Sequence, residues 1–220
     1  MPSLLRPILS LVLVATFAVS PAFAFTAPLS EEAVREAYFL GQRRDESLVR
    51  ALDKYTKHLP APKIGPNIAS VTFLTPFALV AQLSSQNVFD YSAQKAQLDY
   101  RSHPDTVKIV VQILLTDSYG QLIVSPSTSR SNPATGFTQR SYGFWKDFQV
   151  QVFDKDKLLT PSTFYGEPNY FCDGNACTLT GATLELEFPA SDFSANSATI
   201  QIDPPEGDQV IAEIDHSTLR

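Results

Sequence analysis

Cys172 and Cys177 are the side chains whose spacing speaks most directly to chemistry. Asp173-Gly174-Asn175-Ala176 lies between them and holds Asp-Gly, a strong turn dipeptide. In an oxidising compartment this pattern predicts a local disulfide that staples a hairpin end. So small a loop contributes roughly 2 kcal/mol in the chain-entropy model. A redox pair would need C-x-x-C spacing beside a βαβ pattern, and neither is present.

The remaining motifs are decoys. Ser92-Ala93-Gln94-Lys95 matches the S-x-x-K of penicillin-recognising enzymes, which also need a K-T-G downstream on a strand. The nearest equivalent, Lys63-Ile64-Gly65, has the wrong middle residue and lies upstream. No G-x-S-x-G elbow and no glycine-rich phosphate loop occurs. His58, His103 and His216 are not spaced from one another, or from a cysteine, as zinc ligands are. Asp154-Lys155-Asp156 opens like a calcium loop, but Leu158 and Leu159 stand where a ligand and a glycine are required, so a charged hairpin turn is expected. Glu185 and Glu187 lie about 7 Å apart on one strand face. A glycosidase pair would also need a cleft and a raised pKa on one member, so a solvated face is the expectation. No catalytic residue, metal ligand or cofactor is therefore assigned.

Aromatic residues carry the other signal. Phe164, Tyr165, Tyr170 and Phe171 crowd the turn-rich stretch 163–171 beside the cysteines, and Tyr142 and Trp145 stand at the end of the long irregular segment Ser125–Gly143. Rings on loops of a rigid scaffold grip a sugar face or anchor a partner protein. Asn169 and Asp173 would serve a glycan. The competing expectation is that the rings turn inward and close the end of the core.

The elements that position these residues follow from periodicity. Ser30 before Glu31 and Glu32 starts a helix, with Ala33, Val34, Ala37, Tyr38 and Gly41 at helical spacing. Asp45 starts a second run, with Leu48, Leu52, Tyr55 and Leu59 as its apolar stripe, which must dock on the rest of the chain. Pro60 to Pro66, with three prolines and Gly65, ends this helical arm. The period then changes to two. Val107 to Leu115, Phe148 to Val152, Leu184 to Phe188, Ile200 to Ile202 and Val210 to Ile214 read as strands, with weaker patterns at 68–74, 77–83 and 96–100. Turn signals at 117–120, 154–157 and 203–208 separate them. The expected fold is mainly β: an antiparallel β-sandwich of immunoglobulin-like or jelly-roll type with a short N-terminal helical arm. The expected layout is a signal peptide over 1–24, the arm over 25–59, the Pro-rich linker over 60–66 and the sandwich over 67–220.

The leader sets the compartment. Arg6, an apolar run from Ile8 to Val19 and Ala22-Phe23-Ala24 form a secretory signal with its cleavage site. The run is short of the roughly 20 residues that span a bilayer, so no transmembrane span is expected after cleavage. Net charge is −6, and clustered cations are lacking, which excludes general nucleic-acid binding. Sparse cysteines and the lack of any N-x-[ST] acceptor favour a bacterial source. The function expected is therefore that of a non-enzymatic protein, periplasmic or extracellular, with a binding or structural role toward an envelope protein or a glycan. The alternative is a small exported hydrolase whose Ser/His/Asp or carboxylate site is assembled from distant segments.

Overall fold

The computed structural model describes residues 25–43, 45–87, 89–125, 136–174 and 176–220. The expected signal peptide and most of the long irregular segment lie outside them. In chain order the elements are α1 (Glu31–Gly41), α2 (Glu46–Asp53), β1 (Thr56–His58), β2 (Asn67–Leu74), α3 (Pro76–Gln86), α4 (Ala93–Ser102) and β3 (Thr106–Leu114). There follow β4 (Leu122–Ser125), β5 (Gly136–Gln139), β6 (Gln149–Asp154), β7 (Lys157–Leu159), β8 (Thr163–Asp173), β9 (Ala176–Pro189), β10 (Ser197–Asp203) and β11 (Val210–Asp215). Short 3-10 turns occupy Phe144–Asp147, Ala190–Asp192 and His216–Thr218.

The fold is mainly β, and every strand pairing is antiparallel. One sheet runs β1-β2-β3-β9-β8, a second runs β11-β10-β6-β7, and β4-β5 is a separate hairpin. β3 is central, as its double-sided apolar pattern requires: Val107, Ile109, Val111 and Ile113 are fully buried. They share one core with Phe73 and Leu184 of the same sheet and with Val152, Ile200 and Ala212 of the other. Two antiparallel sheets around one core are compatible with a β-sandwich.

Two segments expected as weak strands are helices. Thr75 caps α3 by accepting from the Ala78 amide, and Pro76 stands in the first turn, where its missing N–H costs nothing. Phe77, Val80, Ala81 and Ser84 then fall on one buried stripe. The segment reads as a strand because apolar residues also flank that stripe. Ser92 caps α4 in the same way, accepting from the Lys95 amide. The S-x-x-K serine does stand at a helix start, and its hydroxyl is occupied there.

The expected helical stripe through Leu59 also breaks. α2 stops at Asp53, and Thr56–His58 instead pairs with β2 as an edge strand. Tyr55 is nevertheless buried, and Leu52 and Leu59 pack on the main core. α1 docks elsewhere: Val34 and Ala37 pack with Phe77, Val80, Ala81, Tyr91 and Ala96 in a second cluster built by the helices between β2 and β3. Contact there is close, since a Cβ on Gly41 would stand 2.1 Å from the Ala81 carbonyl oxygen.

The stretch 163–171, expected to be turn-rich, forms most of β8, an eleven-residue strand at the sheet edge. Gly166 and Pro168 look like strand breakers, but an edge strand tolerates proline because one side of it needs no amide donors. The charged turn at 154–157 forms the β6–β7 hairpin as expected, but Asp154 itself faces inward. It is buried, and its carboxylate accepts from the Ser194 amide and hydroxyl and from the Ala195 amide. It thereby ties the β6–β7 turn to the start of β10.

Candidate functional site

The disulfide stands where the sequence places it. Cys172 and Cys177 are cross-strand partners at the end of the β8–β9 hairpin and are bonded. The bridge fixes the two strands that carry the aromatic residues.

Those rings are largely solvent-exposed: Tyr142 at 56%, Phe164 at 46%, Tyr165 at 57%, Tyr170 at 45% and Phe171 at 65% of full accessibility. The expectation that they close the core end is not met. Trp145 is the exception, half-buried against the main core. The 3-10 turn Phe144–Asp147 brings it beneath β8, where Gly166 makes room. A Cβ on Gly166 would lie 2.5 Å from the indole. Phe144, buried next to Tyr119 and Phe148, anchors that turn.

Strand alternation divides the set between two faces. Phe164, Gly166, Pro168 and Tyr170 lie on the core side of β8, and Tyr165, Glu167, Asn169 and Phe171 lie on the opposite side. The register shift near Tyr170 is absorbed on β9 at Thr180, so the alternation along β8 is unbroken. On the core side Trp145 meets Phe164 edge-on with centroids 6.1 Å apart, and Tyr142 approaches Tyr170 at 6.1 Å. Four rings of the six thus meet in two pairs spaced along the core side of β8, and Tyr165 and Phe171 belong to neither.

The outer face carries a polar ladder beside those two rings. Asn169 Nδ2 donates to Thr183 Oγ1 at 3.0 Å, and Thr183 Oγ1 donates to Gln112 Oε1 at 3.1 Å. Lys108 Nζ bridges Glu185 at 3.0 Å and Glu187 at 3.3 Å. The two glutamates share that face as expected, and the lysine between them occupies both. Burial works against the Lys108 charge, but the two carboxylates outweigh it and hold its pKa above the usual value.

Three exposed apolar residues escaped the sequence: Leu122 and Ile123 on β4 and Phe137 on β5. Gln121 Nε2 donates to the carbonyl of Leu179, the cross-strand partner of Tyr170, which ties the start of the β4–β5 hairpin to β9 at that position. Their segment carried no sustained alternation that could have pointed to them.

The histidines are dispersed. His58 Nε2 lies 2.9 Å from Asp53 Oδ1 on the surface. His103 Nδ1 lies 2.8 Å from the Asp99 backbone carbonyl and 3.0 Å from Ser102 Oγ. His216 is wholly buried, stacked on Phe73 at 5.0 Å and flanked by Phe25 and Phe193, and neither ring nitrogen has a hydrogen-bond partner. Burial lowers its pKa, outweighing the opposing charges of Asp154 and Asp215. Among the described residues no histidine reaches both a nucleophilic side chain and an orienting carboxylate. Nor is any group of three or more His, Cys, Asp and Glu placed to hold a metal ion. No helix of the described residues is long and apolar enough to cross a membrane. In comparisons with known proteins, no family model and no curated protein matches the chain.

Proposed function

We propose that this chain is an exported, non-enzymatic β-sandwich protein of the bacterial envelope or extracellular space, whose β8–β9 end binds an envelope component, a protein or a glycan. The observation that carries this reading is the exposure of five aromatic side chains around one disulfide-fixed hairpin. Exposed rings gathered on one strand and the turn beside it are unfavourable in water unless a partner covers them. Tyr142, Phe164 and Tyr170, with Trp145 behind them, suit burial as anchors in a partner's pocket. Tyr165 and Phe171, sharing their face with Asn169, suit stacking on sugar rings. The bonded cysteine pair supports an oxidising compartment, and the leader read in residues 1–24 supplies the route to it.

Co-sedimentation with washed bacterial envelopes tests the proposal. The full mature chain pellets with envelopes, and Tyr142→Ser/Tyr170→Ser or Tyr165→Ser/Phe171→Ser lowers the pelleted fraction at least about fivefold, depending on which face is used. Failure of the wild-type chain to pellet, or equal pelleting of both double variants and wild type, would overturn it.

A further inference from the structure

The buried imidazole opens a segment that fastens the helices to the sheets. His216 is enclosed by Phe73, on which it stacks at 5.0 Å, and by the edges of Phe25 and Phe193 at 5.6 and 6.0 Å. Neither ring nitrogen has a partner. The neutral ring therefore buries one donor and one acceptor unpaired, whereas an imidazolium would bury two unpaired donors and a charge.

Residues 216–220 form a short strap that starts at this ring. The amides of His216 and Ser217 donate to the Asn196 carbonyl at 3.0 and 3.2 Å, which ties the strap to the entrance of β10. Leu219 is buried in the main core. The Arg220 carbonyl accepts from the hydroxyl of Thr75, the cap of α3. Its guanidinium pairs with Glu36 of α1 and lies over the Phe77 ring of α3 at 4.8 Å. One strap thus joins β10 to α1 and α3.

The charges around the ring are few. Residues 25–30 and β2, which bring Phe25 and Phe73 to it, carry no ionisable side chain. The Asp154 and Asp215 carboxylates act on it, and neither Asp192, beside Phe193, nor the exposed Glu213 of β11 is among the groups that do. Asp154 accepts from Ser194 and Ala195, and Asp215 from Ser217, so neither is bonded to the imidazole. Cut after Ala24, the mature chain adds the amine of Phe25, a like charge that further opposes protonation of the ring. Burial outweighs the two carboxylates and keeps the ring neutral.

We infer that residues 216–220 are an acid-released latch: protonation of His216 expels its ring and frees the strap from α1 and α3 while both sheets stay paired. In the open latch the ring meets water and takes up a proton near its ordinary 6.5, which the closed latch refuses. The latch is therefore shut above that pH. Each pH unit below it raises the open population about tenfold, until the closed ring itself titrates. The sheets withstand this because His216 and Leu219 are the only buried residues of the strap.

Native-state hydrogen exchange of the ¹⁵N-labelled mature chain between pH 7.5 and 5, with and without low urea, tests the latch. Rates are divided by those of the unstructured chain at each pH. Protection of the amides of residues 216 and 217 falls about tenfold per pH unit below 6.5 and does not respond to urea, the mark of local opening. Protection of the Ile109 and Val111 amides in β3 falls with urea, as global unfolding requires. In His216→Phe the strap amides keep their protection within about twofold across the same pH range. The wild-type pattern tests the latch by itself, and the variant assigns it to His216. Strap protection that ignores pH, strap amides that share the urea dependence of β3, or an acid response that persists in His216→Phe would overturn the inference.

Discussion

Two groups of aromatic rings, one in the core and one along β8, differ in what surrounds them. Phe25, Phe73, Phe193 and His216 interlock in the dry core, with centroids 5.0 to 6.2 Å apart. Tyr142–Tyr170 and Trp145–Phe164 meet as two pairs at similar spacing, yet three of those four rings are exposed. Ring contact alone therefore does not distinguish structure from recognition. The difference lies in what covers the second side of each ring. Strands of both sheets enclose the first cluster, whereas β8 is an edge strand with nothing beyond it among the described residues. The inner group is enclosed by the fold, and the outer rings are left exposed among the described residues.

The largest expected contrast is in stability. Phe73 is fully buried among three other rings, and Phe73→Ala lowers unfolding free energy by about 3–5 kcal/mol. Phe171→Ala, on an exposed ring, changes it by about 0.5 kcal/mol or less. Urea unfolding of the two variants measures both, and similar losses would erase the distinction between the clusters.

An intermediate effect is expected at the staple. Replacing Cys172 and Cys177 together by Ser removes a small-loop cross-link and lowers stability by about 2 kcal/mol. The loss should concentrate in β8 and β9, so hydrogen exchange accelerates there while β3 and β10 keep their protection. Uniform acceleration across both sheets would mean that the hairpin end is integral to the core.

A smaller effect, and one of opposite sign, sharpens the inner cluster. His216 buries two ring nitrogens without partners, and its pKa is held below the ordinary 6.5 by burial, against the pull of Asp154 and Asp215. The unfolded chain therefore takes up a proton near pH 6.5 that the folded chain refuses. The contribution of neutral His216 is complete above that pH and falls away as pH drops below it. Asp154 and Asp215 do not blur this window. On Asp154 burial is outweighed by hydrogen bonds from Ser194 and Ala195, and on Asp215 the bonds from Ser217 dominate, so both carboxyls titrate below their ordinary 3.8. His216→Phe keeps the ring shape and removes the unpaired nitrogens. It should raise stability by about 1–2 kcal/mol at pH 7 and flatten the decline between pH 7 and 5. Parallel wild-type and variant pH profiles would contradict this account of the cluster.

How much of this was legible in the sequence depends on the kind of signal. β3 was readable because Val107, Ile109, Val111 and Ile113 alternate strictly, and the disulfide was readable from spacing alone. α3 was hidden because its apolar residues nearly surround it, leaving no polar face to reveal a helical period. β8 was hidden because Gly166 and Pro168 interrupt it, although an edge position accepts both. The aromatic residues were found as a set, but their division between two faces needed the parity of β8.

The central claim is that the rings at the β8–β9 end are not part of the core. Urea unfolding of Tyr165→Ser/Tyr170→Ser, which takes one ring from each face of β8, tests it directly. A loss of about 1 kcal/mol or less is the predicted result, as for other exposed positions. A loss of about 2 kcal/mol or more would show that these rings hold the fold, and the recognition surface proposed here would be wrong.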